Sequence, residues 1–190
     1  MRELADVGRV ERFMRALGRE ADADGACYLT GGATAVLLGW RRSTIDVDIH
    51  LAPETDRLLR AIQRIKEELK INVELASPAD FIPVPAGWEG RSLFAAHEGR
   101  LSFYHYDPYS QALGKLERAH EQDLADVRAM TDRGLVDPSR ALAYFDQIEP
   151  ELFRFPAIDP RAFRRRVEQT FEGAPHKHLD GRRGHRRSAH

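Results

Sequence analysis

Cysteine is almost missing from this sequence: Cys27 is the only one in 190 residues. A lone cysteine excludes an internal disulfide framework and a cysteine-rich zinc site. Its neighbours Ala26, Tyr28 and Leu29 point to a buried, inert thiol on a strand. No apolar run approaches the roughly 18 residues of a membrane span, and the charged N-terminal segment carries no secretory pattern. A cytoplasmic protein with no membrane partner is therefore expected. An excess of either charge is missing as well. With 29 Lys and Arg against 30 Asp and Glu the net charge is -1, which gives the whole molecule no pull toward nucleic acid. The balance is local only. From Arg161 to Arg187 there are nine Lys or Arg and three acids, so an acidic body carries a basic end.

An apolar fraction of 42% and a charged fraction of 31% are those of an ordinary globular protein. The length suits one domain, or a catalytic domain with a helical appendage. Leu4, Val7, Val10, Phe13, Met14 and Leu17 have helical spacing. Ala26 to Leu29 reads as a strand, Thr30-Gly31-Gly32 breaks it, and Ala33 to Leu38 forms a helix. Ser43 to Leu51 alternates clearly, with Ile45, Val47, Ile49 and Leu51 on one face and Asp46, Asp48 and His50 on the other. Pro53 is expected to open a helix reaching Leu69. Ile71, Val73 and Leu75 then alternate with Asn72 and Glu74.

A proline-rich loop from Ser77 to Gly90 leads to a hairpin, Leu93 to His97 and Leu101 to His105. Helices follow from Pro108, from Glu121, from Pro138 with Asp137 as cap, and from Asp159-Pro160. The resulting expectation is an α/β (α+β) core over 1–107, with a small mixed sheet. A helical portion over 108–172 packs on that core, and 173–190 forms a disordered basic tail.

Two carboxylates at i and i+2 of a strand leave the same face. A hard cation such as Mg²⁺ or Mn²⁺ takes one or two carboxylates and completes its shell with phosphate and water. Two such ions about 3.5–4 Å apart can flank a reacting phosphorus. Asp46 and Asp48 have this spacing, though an edge strand with a solvated acidic face has it too. Upstream, Thr30-Gly31-Gly32 lies between a strand and a helix, where backbone amides can approach phosphate closely. Arg41 and Arg42 lie between the two motifs, either as a clamp on triphosphate or as surface arginines.

The run from Leu29 to Ala33, followed by Thr44-Ile45-Asp46-Val47-Asp48-Ile49, resembles the signature of the DNA polymerase beta-like nucleotidyltransferase superfamily. The resemblance implies a nucleotidyltransferase fold in which Thr30, Gly31 and Gly32 contact the phosphates of an NTP and Asp46 and Asp48 bind the metals. It also implies a third carboxylate from a neighbouring strand. Glu74, the only acid on the polar face of its strand, matches that position, where the superfamily more often has Asp.

Tyr109 to Val127 looks like the helical segment of the abortive-infection AbiE-type and type IV toxin–antitoxin nucleotidyltransferase toxins. Lys115 matches the lysine of that segment and Asp123 its following acid, with Gln122 where an Arg is usual. A surface lysine and helix-terminal acids, Asp126 among them, are the alternative. The resemblance implies transfer of a nucleoside monophosphate from an NTP to a hydroxyl of RNA, such as tRNA, or of protein, in a toxin–antitoxin setting with a cognate antitoxin. The other class consistent with these residues is a catalytically degenerate nucleotide-binding or antitoxin-type interaction module.

Overall fold

Local sequence sets up most of the elements in the computed structural model of the chain, which describes residues 3–172. The tail expected over 173–190 lies outside the described residues. A two-residue strand β1 (Ala5–Asp6) runs directly into α1 (Val7–Glu20), whose first turn is capped by Asp6 accepting from the Arg9 amide at 2.9 Å. Then come β2 (Gly25–Thr30), α2 (Gly31–Leu37), β3 (Ser43–Thr44), β4 (Asp46–Ala52), α3 (Asp56–Leu69) and β5 (Asn72–Leu75). A 3₁₀ turn (Pro78–Asp80) and α4 (Trp88–Arg91) precede the hairpin β6 (Leu93–Glu98) and β7 (Leu101–His105). The chain continues as α5 (Pro108–Arg118), α6 (Glu121–Asp132), α7 (Pro138–Ile148), a 3₁₀ stretch (Glu149–Arg154) and α8 (Pro160–Phe171).

The main sheet is mixed, in the order β5-β4-β2-β7-β6. β2 is antiparallel to β4 and parallel to β7, β4 is parallel to β5, and β6 is antiparallel to β7. One face is closed by α1 and α3, each with an apolar stripe at i, i+3, i+4, i+7: Val10, Phe13, Met14 and Leu17 on α1, and Leu58, Ala61, Ile62 and Ile65 on α3. These pack on Leu29, Val47, Ile49 and Phe103 in the first core. A second core joins α5 to α8 around Leu116, Met130, Phe145 and Phe163, and takes in Ile82 from the loop after β5. The chain is thus a mixed α/β protein. Among the described residues no helix is long and apolar enough to cross a membrane.

Three sequence expectations change. The strand over Ser43–Leu51 is two strands: Ser43–Thr44 pairs with Ala5–Asp6 in a separate two-stranded sheet, and the chain turns between them so that Ile45 is 70% exposed. Its alternation with Val47 was misleading because register is set by the paired strand, which changes at that point. Pro53 does not open α3; Thr55 does, accepting from the Leu58 amide. Leu75 is exposed because β5 is an edge strand.

Candidate active site

Sheet register builds the acidic row. Thr30 on β2 faces Asp48 on β4, and Asp48 faces Glu74 on β5, while Asp46 faces Asn72. Alternation sends Val47 and Ile49 into the core and leaves Asp46 and Asp48 on the opposite face, away from α1 and α3. The Asn72 side-chain amide donates to Asp46 Oδ1 at 2.6 Å and to Glu74 Oε1 at 2.8 Å. Three carboxylates are therefore gathered where two strands meet, two of them tied by one amide. Burial pushes the Asp48 carboxyl from 3.8 up to about 6, and the charges of Asp46 and Glu74 add to the rise, against an opposing pull from Arg118 and Lys115.

The glycine turn lies against this row. Gly31 has φ of +57°, and a Cβ there would stand 2.9 Å from Asp48 Oδ2. Both facts require glycine. Gly32 has ordinary backbone, but a Cβ would stand 1.9 Å from Thr44 Oγ1. Its constraint is therefore packing against β3. The Gly31 amide donates to Gln111 Oε1 at 2.9 Å, so a side chain from α5 occupies the group a phosphate would use.

Helices α5 and α6 supply the other wall. Lys115 is only 4% exposed, and its Nζ donates to Asp126 Oδ2 at 2.6 Å and to Asp123 Oδ1 at 3.3 Å. Arg118 holds Asp123 through two nitrogens. Burial raises the Asp123 carboxyl, but the Arg118 hydrogen bond and the charges of Lys115 and Arg118 outweigh it and hold the group below its usual range. Asp126, which the sequence left as a solvated helix acid, is fully buried and accepts from Trp40 Nε1 (3.1 Å), Gln122 Nε2 (3.4 Å), Lys115 and both ends of the Arg41 fork. Burying a carboxylate is costly unless donors surround it, as they do here. Arg41, Lys115 and Arg118 against Asp123 and Asp126 leave one surplus positive charge facing the acidic row.

Two clefts meet there. The smaller, about 220 Å³, is lined by Thr30, Gly31, Asp46, Asp48 and Glu74, by the loop residues Ala76, Ser77, Pro78 and Phe81, and by the α5 face of Gln111, Gly114, Lys115 and Arg118. The larger, about 640 Å³, shares Gly31, Asp46, Asp48, Lys115 and Arg118 and adds Gly32, Arg41, His120, Gln122 and Asp123. Nine of the ten residues given a site role in the sequence line these clefts. The exception is Arg42, which is exposed and lines neither, because Trp40 and Arg41 are turned inward to Asp126 and the next residue faces solvent.

Asn72, Gln111, Arg118 and Asp126 were missed. The signal existed: Gln111, Gly114, Lys115 and Arg118 stand at i, i+3, i+4 and i+7, a polar stripe on a helix whose other side is apolar. Among the described residues no group of three His, Cys, Asp or Glu is placed to hold an ion. What the row offers is two carboxylates from one strand, hard oxygen donors that suit Mg²⁺ or Mn²⁺ when phosphate and water complete the shell. The burial of Asp48 and the acids beside it fit such a cation.

No curated protein and no solved structure matches the chain. One family model does, over residues 6–143, a span that begins at the cap of α1, contains every residue of both clefts except Leu4, and ends within α7. With most of its length matched, the chain belongs to the family described as "Nucleotidyltransferase of unknown function (DUF6036)".

Proposed function

We propose that the protein transfers a nucleoside monophosphate from an NTP to a hydroxyl acceptor, releasing pyrophosphate. The observation that carries this reading is the juxtaposition of Asp46 and Asp48, flanked by Glu74, with the buried Lys115 and the Arg118 cation across one cleft. Asp46 and Asp48 would hold Mg²⁺ or Mn²⁺, with Glu74 beside them; such an ion neutralises phosphate charge and lowers the pKa of a bound hydroxyl. The Gly31 amide donates to a phosphate oxygen once Gln111 releases it, and Lys115 and Arg118 balance the triphosphate charge. Glu74, on the exposed edge, orients the acceptor hydroxyl and takes its proton. As the acceptor oxygen bonds to the α-phosphorus, the bond to the bridging oxygen of the β-phosphate breaks, and that oxygen leaves with pyrophosphate. Positioning and charge neutralisation provide most of the acceleration in such chemistry.

The helical portion over 108–172 serves as the far wall of the site, packed on a core over 1–107. Resemblance to the AbiE-type and type IV toxin–antitoxin toxins supports an RNA acceptor such as a tRNA end and a cognate antitoxin; a protein hydroxyl is the other acceptor. A degenerate nucleotide-binding or antitoxin-type module is the second reading, and the Gly31 amide held by Gln111 favours it. Incubation with each α-labelled NTP, Mg²⁺ or Mn²⁺, and total RNA and protein distinguishes them. Label transferred by the wild type and lost in Asp46→Asn supports the transferase, whereas NTP binding without transferred label supports the module.

A further inference from the structure

Gly114 stands in the middle of α5, where glycine is a poor helix former beside alanine. Nothing in the fold requires it. Its φ is not positive, and a Cβ would meet only Ile82 Cδ1 at 3.9 Å and Pro78 Cβ at 4.0 Å, ordinary van der Waals contacts. The space left by the missing side chain opens into the smaller cleft. Phe81 lines the same cleft and is 48% exposed, although the next residue, Ile82, is fully buried in the second core. An exposed aromatic ring and a bare stretch of helix backbone thus share a cavity with the acidic row.

We propose that the smaller cleft takes the nucleoside of the donor triphosphate, with its base stacked on Phe81 and passing over the backbone at Gly114. This rests on the transferase reading above and assigns the two ends of its substrate. A nucleoside triphosphate is a polyanion joined to a planar ring with apolar faces. Lys115 and Arg118 line both clefts, and the larger one adds Arg41, His120 and the second glycine of the turn. Apart from Glu74 at its exposed edge the smaller one adds no charged residue, and Ala76, Pro78, Phe81 and Gly114 give it apolar surface. Phosphates lying on the shared cations and extending toward Arg41 leave the nucleoside on the Phe81 side. The acceptor then approaches over the exposed edge at Glu74 and Leu75. Phe81 and Gly114 become the residues that set how tightly a base is held, and Ser77 and Gln111 supply polar groups beside it.

Calorimetric titration with each of the four NTPs and with inorganic triphosphate, in Mg²⁺, tests this on wild type, Phe81→Ala, Phe81→Trp and Gly114→Ala. Loss of one stacking partner should weaken NTP binding about tenfold in Phe81→Ala, with inorganic triphosphate unaffected and Phe81→Trp restoring the affinity. Gly114→Ala should melt at a higher temperature, as alanine favours helix, yet bind NTP about tenfold more weakly because a methyl group fills the slot. Unchanged NTP affinity in both alanine variants overturns the assignment. Equal weakening toward NTP and triphosphate overturns it too, as does a raised KM for acceptor RNA with NTP affinity intact, which makes the cleft the acceptor's. A wild type that binds neither NTP nor triphosphate refutes the transferase reading itself, a result separate from any of these.

Discussion

Replacing Asp48 by Asn removes one of three clustered negative charges while keeping the side chain's shape. The Asp48 carboxyl lies at about 6 against an ordinary 3.8, and at about 1.4 kcal/mol per pH unit that difference is about 3 kcal/mol at most. Asp48 is half-buried, so solvent screening reduces the figure, and about 1–2 kcal/mol is the working magnitude. The sign is the reverse of the usual salt-bridged acid. A raised folded-state value means the folded protein binds a proton more readily than the unfolded chain, so stability falls as pH rises from about 4 through 6. The cations need no new partners in the variant, because Lys115 keeps Asp123 and Asp126 and Arg118 keeps Asp123.

Metal-free Asp48→Asn should therefore melt about 3–6 °C above metal-free wild type at pH 8, and the gap should close as pH is lowered to 4. Mn²⁺ should invert the order. At about 100 times its Kd, Mn²⁺ adds about 2.7 kcal/mol to wild type and little to the variant. Differential scanning calorimetry at pH 4, 6 and 8, with chelator and with Mn²⁺, reads all of this. A variant less stable than wild type at pH 8 without metal, by an amount independent of pH, refutes the idea that burial and the neighbouring acids disfavour the Asp48 charge.

Asp126→Ala strips the carboxylate from Arg41 and Trp40 and one of two from Lys115 at a fully buried position and should destabilise the protein by about 3 kcal/mol, visible as a lower urea midpoint; Asp126→Asn should lose less. Gly32→Ala drives a methyl into Thr44 and should cost about 2 kcal/mol of stability, so its effect appears first in thermal melting and only then in nucleotide binding. A Gly32→Ala protein as stable as wild type contradicts the close approach of α2 and β3. Deleting residues 173–190 removes Lys177, Arg182, Arg183, Arg186 and Arg187 and should leave Mn²⁺ affinity intact. Titration with tRNA at about 50 and 200 mM salt should show a weaker affinity and a shallower salt slope than the full chain; unchanged values mean the basic end is not an RNA arm.

Sequence alone determined the features that follow from local periodicity and local chemistry. The acidic face of β4, the glycine break before α2, the hairpin around Gly99 and the capped helices at Asp137 and Asp159 are each written in residues adjacent along the chain. Spacing of two on a strand already puts Asp46 and Asp48 side by side, whatever packs around them. Tertiary structure decided what those residues meet. Only the parallel pairing of β4 with β5 puts Glu74 beside Asp48 and lets Asn72 bridge two carboxylates. Only the docking of α5 and α6 brings Lys115 across from them and buries Asp126 under donors 11 and 85 positions away in the chain. It also splits the strand at Ile45 and sets Thr44 closely against Gly32. The physical reason is that alternation and capping are settled within a few residues. A buried charge, by contrast, is tolerated only where distant groups converge to solvate it, and one chain read in order does not display that convergence.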